Sequence, residues 1–162
     1  MDRFVLLSMT VNGERVERRV EARTHLVDFL RGELGLMSAR VGCEHGVCGA
    51  CTVRVGGEIV RGCLTLAVQL AGARVETIEH LSETGEIADL QRAFYERNAV
   101  QCGYCTVGML MTAAELVQTR PDADRAAIRQ YLSGNYCRCT GYQAIVDAVA
   151  TVLKQRKEAR SP

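Results

Sequence analysis

Gly42-Cys43-Glu44-His45-Gly46-Val47-Cys48-Gly49-Ala50-Cys51 is the stretch on which the reading of this chain turns. Three thiols fall in ten residues, spaced C-x4-C-x2-C, and Cys63 follows after eleven more. Glycines stand at 42, 46 and 49, between and beside the thiols. Such a loop can curl tightly, because glycine accepts positive φ and lets backbone approach a ligand closely. Turned N–H groups then face inward, where they stabilise an anion. Four thiolates around such a loop make a metal site the natural reading.

The spacing is the plant-type ferredoxin pattern, C-x4-C-x2-C…C, which holds a [2Fe–2S] cluster. The first ligand set is therefore Cys43, Cys48, Cys51 and Cys63, with Gly42, Gly46 and Gly49 forming the loop around it. Zinc is the alternative, since four cysteines also make its tetrahedron, but zinc knuckles seldom use a loop with three glycines. A Rieske centre through His45 would need two histidines at another spacing. His45 reads instead as an exposed loop residue.

A second quartet lies downstream: Cys102-x2-Cys105 and Cys137-x-Cys139. Each pair precedes a stretch with helical periodicity. Helix N-termini carry free N–H groups and partial positive charge, which favour thiolate. Two helix starts meeting at one point would hold a second [2Fe–2S] cluster. Taken alone, this quartet also admits zinc, and Cys102/Cys105 admits a dithiol redox motif, although no βαβ pattern precedes it.

Around these motifs the chain divides into two textures. Residues 1–80 read as a β-rich unit. Val5, Leu7, Met9 and Val11 alternate, Asn12-Gly13 is a hairpin signal, and residues 15–21 return. Thr24 can cap a helix with Leu26, Phe29, Leu30 and Leu34 on one stripe, ending at Gly35. A second hairpin, Thr52–Val55 with Glu58–Arg61, turns at Gly56-Gly57, and residues 74–78 form a last strand. Residues 81–162 read as helical, over 87–99, 107–119, 125–133 and 142–154, with caps at Thr106, Asp124 and Thr140. Four helices with short links make a bundle. The charged tail 154–162 reads as frayed.

Composition excludes several classes. The chain has 162 residues, 48% hydrophobic and 24% charged, with net charge +1. That is a folded protein with no electrostatic case for nucleic acid or an anionic membrane. Met1-Asp2-Arg3-Phe4 lacks a basic then apolar leader, and no apolar run reaches membrane-span length. A cytoplasmic location is expected, where eight cysteines are metal ligands sooner than disulfides. His25 and His80 are isolated and read as structural or solvated, and Met109 and Met111 as helix core.

Together, Gly42 to Val53, Gln101-Cys102-Gly103-Tyr104-Cys105-Thr106 and Asn135-Tyr136-Cys137-Arg138-Cys139-Thr140-Gly141-Tyr142 closely resemble the small iron–sulfur subunit of the xanthine oxidase family of molybdenum hydroxylases. The likeness runs from the first strand to the last helix. It departs at Val107, where the family usually has proline, and at the Glu44-His45 pair; no ligand is missing. The resemblance implies an α+β chain, with an N-terminal β-grasp ferredoxin-like domain and a C-terminal four-helix bundle. It implies a large partner subunit carrying a molybdopterin cofactor and a medium subunit carrying FAD, assembled as a dimer of heterotrimers. It implies that Gln101 and Cys139 contact the molybdopterin. The chain would then pass electrons from molybdenum to FAD and catalyse nothing alone. The substrate would be an N-heterocycle or aldehyde, or else carbon monoxide or an aromatic thioester. A free-standing two-cluster ferredoxin is the rival of another class.

Overall fold

The computed structural model describes residues 3–160. The expectations placed on Met1, Asp2, Ser161 and Pro162 lie outside the described residues. Alternation in the first segment produces β1 (Phe4–Val11), whose Leu7, Met9 and Val11 are buried while Val5 is exposed. Asn12 and Gly13 both take positive φ, 52° and 85°, and turn the chain into β2 (Glu14–Glu21). β1 and β2 pair antiparallel from Phe4↔Glu21 to Val11↔Glu14. β3 (Thr52–Val55) and β4 (Glu58–Arg61) form the second hairpin through Gly56 and Gly57. β5 (Arg74–Glu76) lies between the two hairpins, parallel to β1 and antiparallel to β3. The sheet order is β2-β1-β5-β3-β4.

The expected single helix after Thr24 is two pieces. A short turn, α1 (Leu26–Asp28), continues as π-helix over Phe29–Glu33. His25, not Thr24, is its N-cap, and no side chain caps it. Leu26, Val27, Phe29 and Leu30 nonetheless bury their side chains against Leu7, Met9, Val20, Val53 and Val75 of the sheet. Apolar burial stabilises by roughly 25 cal/mol per Å² removed from water.

The remaining residues are helical: α2 (Ile78–Glu83), α3 (Ala88–Glu96), α4 (Thr106–Thr119), α5 (Arg125–Leu132) and α6 (Gln143–Arg160). α2 is an addition, since its six residues hold too little period to be read. α3, α4, α5 and α6 share one core, in which Phe94, Met109, Met111, Leu116, Ile128, Val149 and Val152 are buried. Asp124 caps α5 as its sequence position suggests, accepting from Ala127 N at 2.8 Å. α4 begins at Thr106 with Cys105 as its N-cap and no side-chain capping bond, so the role expected of Thr106 is not taken. The frayed tail is a correction. The described residues from Lys154 to Arg160 continue α6, because Arg156 pairs with Asp89 at 2.7 Å and Lys157 with Asp122 at 2.9 Å.

The two apolar cores meet across α4, which packs on β3 and β4. Arg54, on β3, pairs with Glu86 at 2.7 Å, and Glu115, on α4, accepts from Ile59 N at 2.9 Å. The Arg54 guanidinium holds the Glu86 carboxyl below the usual carboxylate range.

Candidate metal centres

The loop from Gly42 to Cys51 lies between the helical turn after β2 and the start of β3, and Cys63 follows β4. Cys51 and Cys63 are buried, Cys43 and Cys48 half-buried. The loop turns its amides inward as the glycines allow: Cys48 N donates to Cys43 Sγ at 3.3 Å. That bond draws the Cys43 thiol down to about 6. Burial pushes the Cys51 thiol up to about 11. Gly46 and Gly49 take φ of +84° and +75°. A Cβ at Gly42 would lie 3.0 Å from Cys48 Sγ, and one at Gly46 would run into Leu64. His45 is exposed, its Nδ1 turned onto Cys43 O. His25 is exposed too, and His80 lies 3.9 Å from Glu76.

The second quartet comes together at one end of the helices. Cys139 Sγ lies 3.5 Å from Cys102 Sγ, and both residues are exposed. Cys105 and Cys137 are half-buried neighbours behind them. The expected advantage of the helix N-terminus does not govern Cys105, whose burial pushes it up to about 12. Cys102 is lowered instead, by the backbone N–H of Tyr104. For Cys137 burial raises and Thr140 lowers, and the net shift is downward. Thr140 donates both its N–H, at 3.4 Å, and its hydroxyl, at 3.0 Å, to Cys137 Sγ. Tyr142, with φ 67°, delays α6 to Gln143, so Thr140, the expected cap of that helix, accepts from Tyr142 N at 3.2 Å and donates its hydroxyl to sulfur. Gln101 is exposed immediately before Cys102.

Among the described residues no three His, Cys, Asp or Glu side chains are grouped to hold a single metal ion. Two sets of four thiols with N–H donors aimed at sulfur fit a binuclear iron–sulfur cluster, whose anionic sulfurs take such bonds. A cavity of about 190 Å³ is lined by all four thiols of the second set and by Cys48 of the first.

Residues without a ligand role join the two sets. Tyr136 N donates to Cys48 O at 2.9 Å, and the Tyr104 hydroxyl to Val41 O at 2.7 Å. Asn135, 1% exposed, donates to Gly108 O and Thr112 Oγ1, each at 2.7 Å. Arg61 donates to Gly134 O at 2.8 Å and Asn135 Oδ1 at 2.9 Å. An asparagine beside a cysteine pair carries no spacing rule that would have singled it out.

Comparison with known proteins agrees with this geometry. Residues 9–77 match the model of a 2Fe-2S iron-sulfur cluster binding domain, and residues 77–150 that of a [2Fe-2S] binding domain. Caffeine dehydrogenase subunit gamma of Pseudomonas sp. (strain CBB1) is 48% identical over 159 residues, covering 96% of this chain and 95% of its own. The quinoline 2-oxidoreductase structure from Pseudomonas putida 86 superposes with a TM-score of 0.89 at 42% identity, over 99% of this chain and 100% of that one. Aldehyde oxidoreductase from Desulfovibrio gigas superposes with a TM-score of 0.86 at 36% identity, over 96% of this chain but 18% of that one.

Proposed function

This chain belongs to the small [2Fe–2S] iron–sulfur subunits of the xanthine oxidase family, and from that membership we propose that it carries electrons from a molybdenum–pterin site to FAD, both held by partner subunits. The observation that carries the reading is the gathering of eight cysteines into two sets of four with amide N–H groups on sulfur. Cys43, Cys48, Cys51 and Cys63 would hold one cluster, and Cys102, Cys105, Cys137 and Cys139 the other. The clusters, when bound, supply one-electron redox chemistry; the chain supplies the thiolates, the N–H groups that favour their anionic form, and the spacing between them. It is a subunit of an oxidoreductase and turns over no substrate alone.

The partners are a large molybdenum-binding subunit and a medium FAD-binding subunit, in a dimer of heterotrimers. Relatives named for caffeine, quinoline and aldehydes favour an N-heterocycle or aldehyde as the substrate of the complex. The second thiol set supports a molybdenum-facing role, because Cys102, Cys139 and Gln101 are all exposed on one edge. The cytoplasm is the proposed location; no helix among the described residues is long and apolar enough to cross a membrane. We take residues 1–80 as the β-grasp unit and 81–162 as the helical one. The two apolar cores support a two-unit chain, with Ile78 already in the helical core, and α3, α4, α5 and α6 are read as its four-helix bundle.

The test is iron content and electron paramagnetic resonance of the reduced complex. About four irons per chain and two distinct signals are expected; zinc in place of iron, or one signal, would overturn the assignment. Purified from cells that carry its partners, the chain should emerge with a molybdenum-containing subunit rather than as a loaded monomer.

Gln101 is expected to contact the pterin, since its amide offers donor and acceptor together. Gln101→Ala should keep both clusters and slow their reduction by substrate. One hydrogen bond is worth about 0.5–1.5 kcal/mol, and 1.4 kcal/mol is tenfold, so a slowing of up to about tenfold is expected. Rapid mixing of the assembled variant with substrate reads this directly; a rate and a cofactor content equal to wild type would remove the pterin contact.

A further inference from the structure

One side chain outside both cysteine sets hydrogen-bonds residues beside each of them. Arg61 ends β4, two residues before Cys63. Its Nη1 donates to Thr52 Oγ1, and Thr52 adjoins Cys51. Thr52 in turn donates to Gly49 O, at 2.6 Å, next to Cys48. From the same guanidinium, Nη2 donates to Gly134 O and Asn135 Oδ1, two residues before Cys137. Asn135 continues the chain to Gly108 O, three residues past Cys105.

Every acceptor in this set is neutral. Among the described residues Arg61 has no carboxylate within salt-bridge distance, whereas Arg54 has two and Arg156 has one. A clamp alone would need only N–H donors, which an uncharged amide also supplies. A guanidinium keeps its charge at any ordinary pH and is weakly hydrated, so it can stand half-buried without a counter-ion of its own. The unmatched positive charge sits where two anionic centres would flank it, and each centre gains a negative charge on reduction. In this half-buried junction such a charge acts more strongly than it would in bulk water.

We propose that Arg61 raises the reduction potentials of both clusters, acting as a shared electrostatic positioning residue between them. The proposal rests on the reading that the two thiol sets hold [2Fe–2S] clusters. The guanidinium donates directly to Thr52 beside the first set and to Gly134 and Asn135 beside the second, so both clusters should feel the charge.

The experiment is stepwise reduction of the assembled complex with dithionite, following each cluster by its own electron paramagnetic resonance signal. Arg61→Gln keeps an amide donor and removes the charge. Both clusters should become harder to reduce. Each should shift by about tenfold in its reduction equilibrium, which is about 59 mV for a one-electron couple. Arg61→Lys, which restores charge but not the fork, should return both potentials most of the way. Potentials in Arg61→Gln that match wild type while both clusters are present would overturn the proposal. So would an Arg61→Lys variant shifted as far as Arg61→Gln. If Arg61→Gln fails to load its clusters, Arg61→Lys decides: near-wild-type potentials uphold the role of charge, and a tenfold shift rejects it. A wild-type complex without two [2Fe–2S] signals would instead sink the electron-carrier reading itself.

Discussion

Cys139→Ala is expected to delete one cluster and spare the other, so iron falls from about four atoms per chain to about two. The reason is the separation of the two ligand sets. Cys139 Sγ stands 3.5 Å from Cys102 Sγ and raises its own protonation through that shared contact. Its neighbours in charge are Cys102 and Cys137, both of the second set. The first set is built from the loop before β3 and the turn after β4 and takes no thiol from the helices. One electron paramagnetic resonance signal should therefore vanish while the other persists with its line shape little changed. Substrate-driven reduction of FAD should stop, because the route between the cofactors is broken. The reciprocal Cys43→Ala should lose the other signal. Loss of both signals in Cys139→Ala, with Cys43→Ala losing only one, would mean that the sets do not divide as assigned.

Gly108→Ala should destabilise the protein, opposite to the usual sign. Glycine inside an exposed helix costs roughly 0.5–1 kcal/mol relative to alanine, so replacing it there stabilises. Gly108 lies in α4, buried against the first cluster loop, and an added Cβ would collide with Gly49 O. It would also come within 2.9 Å of Gly49 C and 3.3 Å of Ala50 Cα. These are backbone atoms and cannot rotate away. Gly49 cannot retreat either: its own φ is +75°, and a Cβ there would sit 2.6 Å from Asn135 Cγ. Overpacking usually costs about 1–3 kcal/mol, and a contact on backbone belongs at the upper end. A melting temperature lower by roughly 4–12 °C follows for a chain of this size. Gly32→Ala is the control, because nothing lies within 4 Å of a Cβ at that helical position. It should be neutral or mildly stabilising. Equal melting of Gly108→Ala and wild type would falsify the close-contact account.

The sequence made the ligand loop legible because spacing and glycine placement are local requirements of one site. The two hairpins were equally legible, since Asn12-Gly13 and Gly56-Gly57 prescribe their turns. What stayed hidden was non-local. The parallel pairing of β1 with β5 depends on which edge each hairpin presents. The continuation of α6 to Arg160 depends on Asp89 and Asp122, which stand on other elements. Local charge alone reads that segment as a solvated tail. At the candidate site, the thiols were legible, but their protonation was not. Cys105 was expected to benefit from a helix terminus, and its burial outweighs that. Thr140 looked like a cap because capping and sulfur donation both need a hydroxyl at a helix start.

The bond from Tyr136 N to Cys48 O has a bearing on how the protein is made. The ribosome delivers Cys43, Cys48, Cys51 and Cys63 early, yet the loop that carries three of them gains its last backbone partner only when residue 136 has emerged. Asn135, which packs against Gly49, arrives at the same moment. Iron and sulfide offered to the half-made chain would meet a loop still open on one side. The order of biosynthesis thus favours cluster insertion into the finished polypeptide, with both sets filled as the sheet and the helices close on each other.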